Sequence, residues 1–136
     1  MKNELQSMLI VGPYFPRKCG IASHTYQLSK SLEAKGIKID TLAPLDCKST
    51  FNLNLTGGFR FLQILKFNTY DKINIHFVPE EYFYTGFSFK RFLNIFPLIS
   101  FLIVFLKMRN IRVVIHEPPW TKYFFQKSIL WKYLWK

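Results

Sequence analysis

The sequence contains few cysteines, histidines and acidic residues, and each shortage excludes a class of protein. The two cysteines, Cys19 and Cys47, form no CxxC pair, so we expect neither a disulfide framework nor a zinc ribbon, and we expect a reducing, cytoplasmic setting. Three histidines lie far apart without zinc-ligand spacing, which predicts no metal site: His24, His76 and His116. No serine lies in a GxSxG motif, so the nucleophile elbow of serine hydrolases is excluded.

The sequence also lacks a hydrophobic run long enough to cross a membrane. Its longest apolar stretch, residues 92–106, has 15 residues, whereas a spanning helix needs about 20. Residues 1–7 are polar and do not resemble a secretory signal. We therefore expect residues 92–106 to form a helix that packs under a sheet or contacts a membrane, with Pro97 either kinking it or lying in its first turn.

Acidic residues are outnumbered, since 8 Asp and Glu stand against 19 Lys and Arg, for a net charge of +11. This excess indicates an acidic partner. The 15 phenylalanines favour an anionic membrane surface over nucleic acid. Residues 122–136 interleave aromatic and basic side chains, as interfacial helices do, although such a face could equally pack on a neighbouring domain. We predict peripheral, salt-sensitive attachment to the inner face of the membrane and no nucleic-acid partner.

The apolar periodicity predicts an α/β fold. With 136 residues the chain is about one domain long. Residues 8–11 form an apolar run closed by a loop with two glycines and two prolines, and a helical pattern then extends to Gly36. Further segments are predicted in this order: strand 37–41, a candidate edge strand 51–55, helix 59–67, strand 73–77, a helix ending near residue 109, strand 112–115 and a basic helix 122–136. Residues 1–136 are therefore expected to form a single Rossmann-like domain, with a mostly parallel sheet flanked by helices.

Three loops would follow the carboxyl ends of parallel strands, where such sheets bind ligands. The first, residues 12–20, contains Arg17 and Lys18 close to a predicted helix N-terminus at Gly20, which together could bind an anion. The alternative is an ordinary turn. A dinucleotide fingerprint is excluded, because Asp40 ends the second strand but only Gly12 and Gly20 occur where three closely spaced glycines are needed.

The other two loops contain acidic residues and a histidine. Glu80 and Glu81 follow one strand, and as neighbours in an extended chain they could equally form a solvated turn. His116 and Glu117 follow the last strand, where a histidine could also be purely structural. We interpret the remaining two histidines as structural.

Five segments resemble the N-terminal domain of family 4 glycosyltransferases, which have the GT-B fold. They are MLIVGPYFP (8–16), CGIA (19–22), LSKSLEAKGIK (28–38), INIHFVPE (73–80) and VVIHE (113–117). Their order along the chain matches that family's first strand, glycine loop, first helix and later strands.

The resemblance implies one of two Rossmann-like domains that face each other across a cleft, with the acceptor on this side and the nucleotide-sugar donor on the other. It implies transfer with retention of configuration and without a metal or other cofactor. His116 matches the histidine that reaches the donor sugar near the reaction centre, so it is the expected catalytic residue. Gly20 falls in the glycine loop, where Cys19 replaces the first glycine. The expected substrate-binding residues are Arg17, Lys18, Cys19, Gly20, Glu80 and Glu117.

The chain ends before any donor domain, so we expect it to be the acceptor half of a split or truncated enzyme, inactive alone. Its partners would be a separate chain with the donor domain and a glycan or lipid-linked acceptor. The alternative is a non-enzymatic binding module, or a truncated relic, with the same fold. A small protein that spans the membrane through residues 92–106 is a third hypothesis.

Overall fold

The computed structural model describes residues 6–83 and 93–116. Within these ranges there are five strands: β1 Ser7–Val11, β2 Lys38–Ala43, β3 Phe51–Asn52, β4 Lys72–Phe77 and β5 Ile111–Ile115. The helical elements are α1 Gly20–Glu33, a 3₁₀ helix Arg60–Phe67, the short α2 Pro79–Tyr82 and α3 Ile95–Lys107.

The five strands form one parallel sheet in the order β3-β2-β1-β4-β5. In register, Val11 at the end of β1 pairs with Leu42 on one side and with Ile75 on the other. Strand order reverses between β1 and β4, which makes the carboxyl ends of these two strands the topological switch point. The predicted fold class, a Rossmann-like α/β sheet flanked by helices, is confirmed.

The sequence explains why α1 begins and ends where it does. Cys19 is the N-cap residue in an extended conformation, and its Sγ accepts a hydrogen bond from the Ala22 amide at 3.4 Å. At the other end Gly36 has φ 81°, a left-handed conformation that glycine adopts without a steric penalty. The Ile37 amide closes the last turn on the Leu32 carbonyl. The helix that the sequence predicted between the glycine loop and Gly36 is confirmed.

The sheet has two chemically different faces. The apolar face is covered by the 3₁₀ helix and α3, and its core consists of aliphatic and aromatic side chains: Leu9, Val11, Leu42, Phe61, Ile64, Ile73, Ile75, Phe77, Tyr82, Phe101 and Val104. The polar face lies toward α1. There the Tyr14 hydroxyl and Ser29 Oγ are hydrogen bonded at 2.8 Å, and Thr25 Oγ1 donates to the Pro13 carbonyl at 2.6 Å.

Helix α3 is shorter than the sequence suggested, and its apolar side chains are only partly buried. Pro97 lies in its first turn, where a missing amide hydrogen costs little. Of the two expectations for Pro97, a kink or a place in the first turn, the second is therefore correct. The buried side of α3 includes Pro97 and Ser100, whereas leucines and isoleucines are exposed. The packing of apolar side chains under the sheet is thus only partial, because the sheet and the 3₁₀ helix contact just one side of α3.

The remaining predicted elements differ from the structure in length or helix type, or lie outside the described residues. Strand β3 has two residues, shorter than the predicted 51–55, and the predicted helix at 59–67 is a 3₁₀ helix. The predicted helix 122–136 and Glu117 lie outside the described residues. Among the residues described, none of the helices has the length and hydropathy needed to cross a membrane.

Candidate functional site

The site lies at the switch point, where the loop after β1, the short helix α2 after β4 and His116 after β5 meet. Gly12, the first residue beyond β1, has φ 151°. A Cβ built on Gly12 would lie 2.9 Å from His76 Cβ and 3.3 Å from the His76 carbonyl oxygen. Only glycine fits this position, because the backbone at the end of β1 passes directly against β4.

Three histidines lie beside this contact. His76 Nδ1 and His116 Nε2 are 2.7 Å apart, and the two rings stack with centroids 5.0 Å apart. The ring of His24, on the second turn of α1, lies 5.5 Å from that of His76 and 5.8 Å from that of His116. His76 is fully buried. Sequence separation concealed this cluster, which α1 and two strand ends bring together.

Asn74 extends the cluster into the polar face. Its Nδ2 lies 3.2 Å from His76 Nε2. If the amide donates to Nε2, the His76 proton is on Nδ1 and is donated to His116 Nε2, so that His116 keeps its own proton on Nδ1. Asn74 Oδ1 is the buried side-chain oxygen that lacks a hydrogen-bond partner in the part of the chain that is described. Asn74, His76 and His116 thus form one short hydrogen-bonded row.

The protonation of the row follows from its burial. Burial, and then the neighbouring His116 and His24, together lower the pKa of His76 to about 4. Burial, and then the proximity of His24, also lowers the pKa of His116. Both rings are therefore neutral at pH 7, and in this arrangement His116 can donate a hydrogen bond from Nδ1 without adding a charge to the site.

A second cluster lies on the other side of the loop after β1. Arg17 Nε contacts Asp46 Oδ2 at 2.7 Å, and Arg17 Nη1 forms an ion pair with Glu81 Oε1. Hydrogen bonding to Asp46, with Glu81 nearby, raises the pKa of Arg17, and Arg17 lowers the pKa of Asp46. The guanidinium joins the loops that follow β1, β2 and β4. It is already paired with two carboxylates, which favours a neutral ligand over a phosphate at this point.

Arg17 also lines a cavity of about 370 Å³ at the carboxyl ends of β1 and β2, a size typical of small-molecule sites. Val11, Leu42, Leu55 and the buried Tyr82 contribute apolar surface, while the polar lining includes Asp46, Asn54, Thr56 and Glu81. Thr56 Oγ1 donates to the Glu81 carbonyl at 2.8 Å, which ties this wall to α2. The cavity therefore combines an apolar wall with hydroxyl, amide, carboxylate and guanidinium groups.

The structure brings some of the predicted site residues together and separates others. Arg17 lines the cavity and His116 lies in the histidine cluster, at the same edge of the sheet. Lys18 is exposed, and no hydrogen bond ties it to the cluster or cavity in the described part of the chain. Cys19 caps α1, and Gly20 begins it with open space where a Cβ would lie.

Glu81, one of the two adjacent acidic residues, contacts Arg17. Glu80 and Glu117 were also expected to bind substrate. The side chain of Glu80 and the whole of Glu117 lie outside the described residues. His24 and His76 were interpreted as structural, and their contact with His116 gives them a place in the site. The available signal was Asn74 and His76 occupying alternate positions of an otherwise apolar parallel strand, since such strands are normally apolar on both faces.

These features define the class as a Rossmann-like α/β protein with a neutral histidine row and a mixed apolar and polar cavity at its switch point. Within the described ranges, no three His, Cys, Asp or Glu side chains are placed to share a metal ion. The sequence matches no protein-family model, no curated protein and no solved structure.

Proposed function

We propose that this chain is the acceptor-side domain of a retaining, nucleotide-sugar-dependent glycosyltransferase of the GT-B type. The nucleotide-sugar would be bound by a second domain supplied from outside these 136 residues, and the acceptor would be a growing surface polysaccharide or a lipid-linked glycan. The single observation that supports this most is the position of His116. It follows β5 at the carboxyl edge of the sheet, and His76 fixes its ring at 2.7 Å.

The chemistry of the two clusters supports an acceptor role. A neutral His116 can hydrogen bond to a sugar hydroxyl without attracting a diphosphate. The cavity beside Arg17 offers carboxylate oxygens and guanidinium hydrogens, which pair with hydroxyl groups, and an apolar wall for the carbon face of a sugar ring. The pairing of Arg17 with Asp46 and Glu81 leaves that guanidinium without excess charge for a phosphate.

Binding measured by NMR tests the proposal, because the chain has three histidines whose ring protons can all be assigned. Glucose, galactose, mannose and their methyl glycosides would be titrated into the full chain, alongside UDP-glucose and GDP-mannose. We expect sugars to shift the His116 ring and the Arg17 Nε–H resonances, and Arg17→Gln and His116→Ala to weaken this binding. Lys35→Gln, on an exposed residue after α1, is the matched control.

Two outcomes would contradict the proposal. One is nucleotide-sugar binding that is tighter than sugar binding. The other is robust sugar transfer by the purified chain with no added partner, which would contradict the two-domain arrangement.

A non-enzymatic binding module of the same fold is the second candidate. The cavity favours this candidate, because residues of this chain alone form the cavity. Sugar binding that persists while no donor domain restores transfer would favour this alternative. A cytoplasmic location, and attachment to the inner membrane face through residues 122–136, are part of the proposal and rest on the charge of +11 and the aromatic content.

A further inference from the structure

Helix α3 presents an unusually apolar surface to solvent. Six large apolar residues are 39–76% exposed along one side of this 13-residue helix: Ile95, Leu98, Ile99, Leu102, Phe105 and Leu106. We name this set the α3 face. The opposite side of the helix, which includes Phe101 and Val104, is buried in the core. The α3 face therefore points away from the sheet, where nothing in the described structure covers it.

The 3₁₀ helix extends this surface sideways. Phe61 stacks on Phe101 with ring centroids 3.7 Å apart, and Phe59 contacts Phe96 at 5.3 Å. Phe59 is itself 49% exposed. The two helices form one rigid layer, so the α3 face and the exposed side of the 3₁₀ helix belong to a single surface.

The charge of that layer has one sign. Arg60 and Lys66 are exposed on the 3₁₀ helix, and Lys107 and Arg109 are exposed at and just beyond the end of α3. No aspartate or glutamate occurs in residues 47–70 or 93–116. An apolar surface flanked only by cations is complementary to a bilayer whose headgroups are anionic.

We propose that the layer formed by α3 and the 3₁₀ helix is a membrane-docking surface, which lies flat on an anionic bilayer with the α3 face among the acyl chains and headgroups. A helix of 13 residues is about 20 Å long, too short to cross the hydrocarbon core but long enough to lie in the interface. The four cations then contact lipid phosphates. Residues 122–136 are not among the residues that form this surface, and the proposal does not depend on sugar transfer.

The position of the α3 face also argues against a partner domain as its occupant. A domain that closes over the switch point would cover the carboxyl edge of the sheet. The α3 face lies on the flank, because the buried side of α3 packs on the apolar face of the sheet. Such a domain could therefore bind while the α3 face contacts a bilayer.

The test is co-sedimentation of the full chain with vesicles of phosphatidylcholine alone and of phosphatidylcholine with phosphatidylglycerol, at low and high salt. We expect binding to the anionic vesicles only, and weaker binding at high salt. The variant L98Q/L102Q/L106Q should lower the partition coefficient by about tenfold or more. The variant R60Q/K66Q should lower it about thirtyfold, at about 1 kcal/mol for each cation. All five positions are exposed, so circular dichroism and the unfolding midpoint should be unchanged.

Matched controls test the location of the surface. Leu45 is 70% exposed and Leu106 is 76% exposed, so Leu45→Gln should leave binding unchanged while Leu106→Gln weakens it. K35Q/K48Q, on exposed lysines outside this layer, controls for R60Q/K66Q. Replacing Lys122, Lys127, Lys132 and Lys136 by glutamine measures the contribution of residues 122–136.

Three results would overturn the proposal. Equal binding to neutral and anionic vesicles would remove the role of charge. If L98Q/L102Q/L106Q binds anionic vesicles as tightly as the unchanged chain does, while the variant of residues 122–136 no longer binds them, the membrane contact lies in residues 122–136 and not on the α3 face. Self-association without lipid that L98Q/L102Q/L106Q abolishes would identify a second copy of the chain as the occupant.

Discussion

The two faces of the sheet differ in chemistry, and β4 shows the difference most directly. Ile73, Ile75 and Phe77 point into the apolar core beneath the 3₁₀ helix and α3. Asn74 and His76 alternate with them and point toward α1, where they are buried and hydrogen bonded. One strand therefore contributes to hydrophobic stability on one side and to the candidate site on the other.

The difference shows how the fold separates the hydrophobic core from the candidate site. On the apolar face, rings stack without any need for hydrogen-bond partners, as Phe61 does on Phe101. On the polar face most buried polar groups have a partner, because an unpaired one costs free energy, and those partners fix side chains in place. Asn74 Oδ1 is the exception among the described residues. The following predictions test this division from the largest expected effect to the smallest.

Truncation of the apolar face should cause the largest loss. Phe101 is 7% exposed and contacts Phe61, Phe77 and Tyr82, so Phe101→Ala should lower the free energy of unfolding by about 3–5 kcal/mol. Urea denaturation measures this. The control Phe105→Ala, on a residue that is 41% exposed, should cost about 1 kcal/mol or less. Equal costs at the two positions would contradict the described orientation of α3.

The contact between the strand ends should be the next most sensitive. Gly12→Ala adds a Cβ that meets His76 Cβ at 2.9 Å on a backbone with φ 151°, so we expect a loss of about 2–4 kcal/mol. Gly20→Ala is the matched control, since its Cβ would enter open space and its effect should lie within about 1 kcal/mol. The unfolding midpoints of the two variants measure both effects. A tolerated Gly12→Ala would mean that β1 does not approach β4 this closely.

The buried histidine predicts how stability depends on pH. The pKa of His76 falls from 6.5 to about 4 on folding, so between these values the unfolded chain binds more protons than the folded one. The contribution of neutral His76 to the free energy of unfolding is therefore fully present above pH 6.5. It decreases by about 2–3 kcal/mol as the pH falls to 4. Denaturation across this range should show the slope, and His76→Gln should remove most of it. The lowered pKa of His116 acts in the same direction and accounts for a smaller remainder.

The smallest effect concerns the start of α1 on the polar face. Cys19 Sγ is a weak acceptor at 3.4 Å from the Ala22 amide, and serine or aspartate is preferred at an N-cap. Cys19→Asp should therefore raise the free energy of unfolding by about 0.5–1 kcal/mol. Thermal unfolding measures it, with Cys19→Ala as the control that removes the cap. A destabilised Cys19→Asp would show that the thiol has another role at this position.

The sequence predicted the parallel sheet and the bounds of α1 well, for local reasons. Short apolar runs such as residues 8–11 have few alternatives to a buried strand, and Gly36 ends a helix through its own backbone preference. It predicted α3 less well. Periodicity shows that a helix is apolar, but it cannot show how many of its sides meet another element.

For the candidate site, the sequence by itself predicted the edge of the sheet where it lies, since parallel strands and the residues of the loops that follow them can be recognised from local segments of the chain. It placed Arg17 and His116 there. Only the tertiary structure decided their partners, because the contacts of His116 with His76 and of Arg17 with Glu81 join residues 40 and 64 positions apart. Such pairs depend on strand register and on the close approach at Gly12, and these are fixed only when the whole sheet has formed.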